Sequence, residues 1–150
     1  LPAITIEYAD VPKFQWKVMP WKKWLQSVAA SEGYEIVNLE YVFCSDDYLL
    51  EINRKSLQHD DYTDIITFDM RDEFLEEEQD EIIDGLIYIS VDRVAENAGK
   101  YQVTFFQELA RVMVHGMLHL CGYGDKSPEE QRIMRGKEDD YLLVFDWLKV

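Results

Sequence analysis

VTFFQELARVMVHGMLHLCG, residues 103–122, decides the fold. Glu108, Arg111, His115 and His119 fall three or four positions apart, which places them along one face of a helix, while the remaining surface is largely apolar. A helix that is apolar on most sides belongs in a core, so the rest of the chain is expected to wrap around it. Upstream, residues 3–8 (AITIEY) alternate as a strand does, and WKKWLQSVAASEGY after Pro20 has helical spacing before a glycine stop. EIVNLEYVFCSDD reads as a second strand ending on an Asp pair that caps the helix DDYLLEINRKSL. TDIITFDM and DGLIYIS read as the third and fourth strands. Between them, residues 71–84 carry eight carboxylates and one Arg and are expected to form a solvated hairpin excursion. SVDRVAENAGK predicts a short helix closed by Gly99, and PEEQRIMRGKEDDYLLVFDWL predicts the last one, with Pro128 in its first turn. The expected fold class is α+β: a small mixed four-stranded β-sheet packed with about five helices, the long apolar helix buried among them.

At 150 residues, 47% hydrophobic, the chain suffices for one domain over residues 1–150. A net charge of -15 repels polyanions at long range, so any nucleic acid must be met through a local patch. Cys44 and Cys121 are too few for a disulfide framework and are expected to be reduced. No secretory leader pattern opens the sequence and no apolar run approaches the ~20 residues that span a bilayer, so a cytoplasmic, membrane-free setting is expected.

The chemistry concentrates in HGMLHLCGYGD, residues 115–125, which holds two of the three histidines. His115 and His119 are four apart and can reach one ion together. Gly122 can end the helix and let the turn GYGD bring Asp125 back as a third ligand, while Cys121 lies about 200° round the helix from His119. Gly116 stands where the HExxH peptidase motif needs a general-base Glu, which disfavours that chemistry. Three ligands and an open position would suit a catalytic divalent ion, zinc before others. A carboxylate in place of a neutral third imidazole lowers the charge of such a site by one, makes its bound water less acidic and admits harder cations. Spacing alone leaves a rival open, in which the same groups cap the helix end and satisfy one another. The iron triad of oxygenases uses the same ligand types, but a helix-borne His pair counts against it.

HGMLHLCGYGD resembles the HGxLHLxGYxH signature of the YbeY family of bacterial metal-dependent single-strand endoribonucleases, departing at Asp125, where the family has a third His. NRKSLQHDDYTDIITF, from Asn53 to Phe68, is similar to the family's NxxYRxxDxxTDVLSF block, and GLIYIS to its GDIxIS strand. The resemblance implies that His115, His119 and Asp125 hold one divalent metal and that the activity is hydrolysis of RNA. It further implies ribosomal RNA maturation and ribosome quality control as the setting, with the ribosome or its small subunit as partner. The family's Arg falls on Leu57 and its strand Asp on Leu86, which bears on rate and substrate binding. The third histidine, His59, could supply polar function near the metal or be an exposed loop residue; Asp64 could orient water or satisfy backbone N–H groups at a strand start. Glu108 and Arg111 are either partners behind the ligands or a mutual buried ion pair.

KFQWKVMPWKK, residues 13–23, has four Lys, three aromatics and no carboxylate. Lys13, Lys17, Lys22 and Lys23 with interleaved rings would suit RNA, as would Arg132 and Arg135; the blander account packs the tryptophans inward and leaves the lysines solvated. Two functions of different class follow: a metal-dependent RNA hydrolase, or a ribosome-associated assembly or binding factor with weak or no catalysis. Metal-dependent hydrolysis of a small molecule is the fallback.

Overall fold

A computed structural model describes residues 3–57, 63–72 and 81–147. Four strands, β1 (Ile4–Tyr8), β2 (Glu35–Cys44), β3 (Ile65–Asp69) and β4 (Ile82–Ser90), form one sheet in the order β1-β2-β4-β3. β2 runs parallel to both β1 and β4, and β3 is antiparallel to β4. Among the described residues there are five helices: α1 (Val18–Ser31), α2 (Asp46–Leu57), α3 (Val91–Tyr101), α4 (Phe105–Leu120) and α5 (Pro128–Leu143). The fold is therefore the α+β arrangement expected, a mixed four-stranded sheet with the long apolar helix α4 in the core.

Strand alternation sorts the side chains onto two faces. Leu39, Tyr41 and Phe43 of β2 and Ile83, Ile87 and Ile89 of β4 join the main core with Met113, Met117 and Leu118 of α4. The opposite face carries Cys44, Ile66 and Phe68, packed with Leu49 and Ile52 of α2. α4 comes so close to the sheet that a Cβ on Gly116 would lie 2.9 Å from the Cδ1 atoms of both Ile65 and Ile87. Any larger residue there would have to shift those methyl groups. The Tyr41 hydroxyl donates to the Met113 carbonyl at 2.8 Å and fixes the helix along the sheet; complete burial pushes that hydroxyl's pKa far up.

Helix boundaries follow capping chemistry. Thr104 and Gln107 form a capping box at the start of α4, and Ser127 and Glu130 form another at the start of α5. α4 ends at Leu120, and Gly122 just beyond it, at a φ of 99°, turns the chain back, with Tyr123 N–H bonded to the Leu118 carbonyl.

Four expectations shift. α1 starts two residues before Pro20, which is tolerated because a first-turn N–H has no helical partner. α3 runs past Gly99 and is closed by Gln102 in the left-handed region at φ 58°, where the N–H groups of Gln102 and Val103 reach the carbonyls of Gly99 and Ala98. β4 starts at Ile82, within the stretch expected to be excursion, because Ile83 is buried in the core; residues 73–80 of that stretch lie outside the described residues. α5 stops at Leu143, and Phe145 beyond it stacks on Trp24 at 4.5 Å between ring centroids.

Candidate metal centre

One turn of α4 separates His115 from His119, and the turn after Gly122 brings Asp125 up to both. The two Nε2 atoms are 3.1 Å apart, and Asp125 Oδ2 lies 3.3 Å from His115 Nε2 and 3.2 Å from His119 Nε2. The three atoms make a nearly equilateral triangle. Both imidazoles are held from behind: His119 Nδ1 lies 2.8 Å from the Tyr123 carbonyl and His115 Nδ1 lies 2.7 Å from Glu138 Oε2. A carbonyl oxygen can only accept, so His119 carries its proton on Nδ1 and directs the Nε2 lone pair at the triangle. Glu138 holds His115 in the same sense.

Two imidazole lone pairs and a carboxylate oxygen converging within hydrogen-bond distance, with no hydrogen between them, repel one another unless a cation or extra proton sits among them. An ion bonded at about 2.0 Å in tetrahedral geometry sets its ligand atoms about 3.3 Å apart, which the observed edges match. The donor set therefore fits a divalent cation. Among the described residues, these three are the group of His, Cys, Asp and Glu side chains able to share one. Cys121 is no fourth ligand: it packs against the main core, and burial, with the charge of Glu32, pushes its thiol up to about 12. Burial alone would pull the His115 imidazole down, but the hydrogen bond and charge of Glu138, aided by Asp125 and Asp64, raise it.

The profile of the family described as Endoribonuclease YbeY matches residues 6–146. The chain belongs to the YbeY endoribonuclease family. It is 49% identical over 124 residues to the endoribonuclease YbeY of Flavobacterium psychrophilum, covering 81% of this chain and 82% of that one. With the protein of the same name from Bacteroides thetaiotaomicron the identity is 41% over 142 residues, 95% of this chain and 98% of the other. The solution structure of a Thermotoga maritima protein superposes with a TM-score of 0.63 at 28% identity, covering 93% of this chain and 86% of that one.

Against the YbeY motifs, the structure sorts the remaining candidates by distance from the triad. A cleft of about 670 Å³ opens beside it, bordered by Asp64 and Thr67 around β3, Tyr101 at the end of α3, Glu108 and Arg111 on α4, and Arg135 on α5. Arg111 does not pair with Glu108 as the shared helical face had suggested. Its guanidinium donates to Glu138 Oε1 at 2.9 Å and Asp139 Oδ1 at 2.8 Å, so Glu138 bridges an imidazole and an Arg. Glu108 keeps its carboxyl in the cleft, pushed up by burial and by Asp64 against the pull of Arg111. Asp64 is likewise raised, mainly by burial, while its own backbone N–H and the charge of His115 pull it down. His59 lies outside the described residues, and the side chain of Leu57 at the end of α2 is not described. Leu86 points to the sheet face opposite Ile87, hence away from α4, and does not border the cleft.

None of Lys13, Lys17, Lys22 and Lys23 borders this cleft. The rings among and just after them are used for packing: Trp21 and Trp24 are buried, and Phe14 and Trp16 lie among Tyr8, Phe43 and Phe106. Arg132 is paired with Glu129 in solvent, so of the cationic candidates only Arg135 borders the cleft. Sequence reasoning missed Glu138 and Tyr123. Tyr123 was within the quoted motif but acts through its carbonyl, which residue type cannot announce; Glu138 comes from another helix.

Proposed function

We propose that the protein is a metal-dependent, single-strand-specific endoribonuclease, that His115, His119 and Asp125 hold one divalent ion, zinc first, and that it acts in the cytoplasm on ribosomal RNA during maturation and ribosome quality control, with the ribosome or its small subunit as partner. The observation that carries the reading is the triangle of two Nε2 lone pairs and a carboxylate oxygen, each imidazole fixed through Nδ1. The match to the YbeY family supplies the substrate class.

A divalent ion bound there would supply a Lewis acid and lower the pKa of a coordinated water. The chain's own residues do the rest. Tyr123 and Glu138 hold the imidazoles in the tautomer that presents Nε2, which removes any need to reorganise them. Arg135, at the cleft rim and 3.7 Å from Glu138, is placed to meet a phosphate, whereas Arg111 is held by two carboxylates. Asp64 and Glu108 stand in the cleft wall with their carboxyl pKa raised chiefly by burial, which makes them the candidates for passing a proton to a departing oxygen. Leu57 in place of the family's Arg favours a second reading, in which the protein serves mainly as a ribosome assembly or binding factor with little catalysis.

The decisive measurement is bound metal together with cleavage of structured and single-stranded RNA in wild type, His119→Ala and Asp125→Ala. Stoichiometric metal and single-strand cleavage in the wild type, both lost in His119→Ala, support the nuclease. Metal retained at full stoichiometry in Asp125→Ala would overturn the three-ligand site. Metal bound with no cleavage of any RNA leaves the assembly-factor reading.

A further inference from the structure

Glu32 caps the C-terminus of α1, far in sequence from the triad, yet its side chain is only 8% exposed. It accepts the Tyr123 hydroxyl at 2.6 Å, the Tyr141 hydroxyl in a very short contact, and Lys137 Nζ at 3.3 Å. One of these partners supports an imidazole directly, and the other two lie on the helix that carries the support of the second. Tyr123 is the residue whose carbonyl takes His119 Nδ1, and Lys137 and Tyr141 flank Glu138, which takes His115 Nδ1. One carboxylate therefore ties the metal turn and α5 to each other and to α1.

We propose that Glu32 is a positioning residue of the metal centre, holding the 122–125 turn and α5 in the mutual placement that makes both Nε2 atoms and Asp125 converge. The inference rests on the reading that the triad binds a metal. A buried ionic cluster of this kind is weak as a source of stability, since apolar side chains of equal volume often serve as well; what it fixes is the relative placement of its members. Its reach is what singles it out: it contacts residues 91, 105 and 109 positions away, on the two segments that orient the ligands. It touches neither ligand nor substrate and acts only through Tyr123 and α5.

The test uses the full chain loaded with Co(II), whose visible absorption reports coordination geometry, beside zinc affinity by competition with a chelator. Glu32→Gln keeps the volume and removes the charge; it is expected to lose about 10- to 100-fold in zinc affinity, the range for removing support behind a metal ligand, and to alter the Co(II) spectrum. Tyr123→Phe, which keeps the carbonyl on His119 and breaks only the link to Glu32, should weaken zinc in the same direction. The double variant should lose less than the sum of the two. If Glu32→Gln does not fold, Tyr123→Phe alone decides. Folded variants with lowered melting temperature but unchanged zinc affinity and Co(II) spectrum would overturn the proposal. If wild type binds neither ion, or binds them just as well in His119→Ala, the metal reading itself has failed, and the inference with it.

Discussion

Two stretches of this chain invite a functional reading, HGMLHLCGYGD and KFQWKVMPWKK, and the fold treats them oppositely. In the first, the polar groups sit at fixed spacing on one helix and its closing turn, so their convergence follows from backbone geometry. In the second, the rings and lysines are only interleaved, and the rings are drawn into the core, where Trp21 is fully buried and Phe14 and Trp16 pack edge to face with neighbouring aromatics. Spacing on a rigid element constrains where functional atoms go. Composition alone does not, because an aromatic ring is worth more buried than displayed.

Substitutions can break that contrast. His115→Ala should abolish stoichiometric metal binding while leaving the far-UV circular dichroism unchanged; a metal complement that survives it would return the motif to a helix cap. Trp21→Ala should do the reverse, lowering stability by about 3–5 kcal/mol in urea unfolding while the folded fraction keeps its metal. Glu138→Gln should lower zinc affinity by about 10- to 100-fold, sharpening how much of the site is owed to α5. Acid should act through Glu32. Burial would raise its carboxyl, but the Tyr123, Tyr141 and Lys137 donors hold it below the usual carboxylate range, so its stabilisation is present above that range and is lost as pH falls through the folded-state value. The melting temperature of Glu32→Gln should thus fall less steeply than that of wild type between pH 5 and the acid limit, and parallel curves would remove Glu32 as a source of acid lability. The smallest effect is expected from Lys22→Glu with Lys23→Glu: a drop in RNA affinity beyond about tenfold at fixed ionic strength would put this segment in the footprint after all.

How far the sequence was legible follows the same division. α4 could be read because its polar face repeats every three or four residues, and its end because Gly122 takes the positive φ that closes it. The start of β4 could not, since Ile82 and Ile83 are embedded among carboxylates and only their pairing with Glu35 and Ile36 of β2, distant in sequence, explains why they join the sheet. Gly99 suggested a stop that the chain passes by, because Gln102 supplies the left-handed residue three positions later. The triad sits within eleven consecutive residues and was visible. Its supports, Glu138 and Glu32, come from other helices at ordinary surface-like positions, and nothing in local spacing distinguishes them from the other acidic residues of a chain that has thirty.

Gly116 carries a last consequence. A peptidase would need a carboxylate at this position, immediately after the first His, and here that position faces Ile65 and Ile87, whose Cδ1 methyls a single added carbon would have to push aside. The contact that seats the helix on the sheet thus weighs against that chemistry: a Glu here would have to displace the methyl groups of Ile65 and Ile87. Position 125 lies in the turn beyond the helix, outside that packing, while the neighbour of His115 sits against the core.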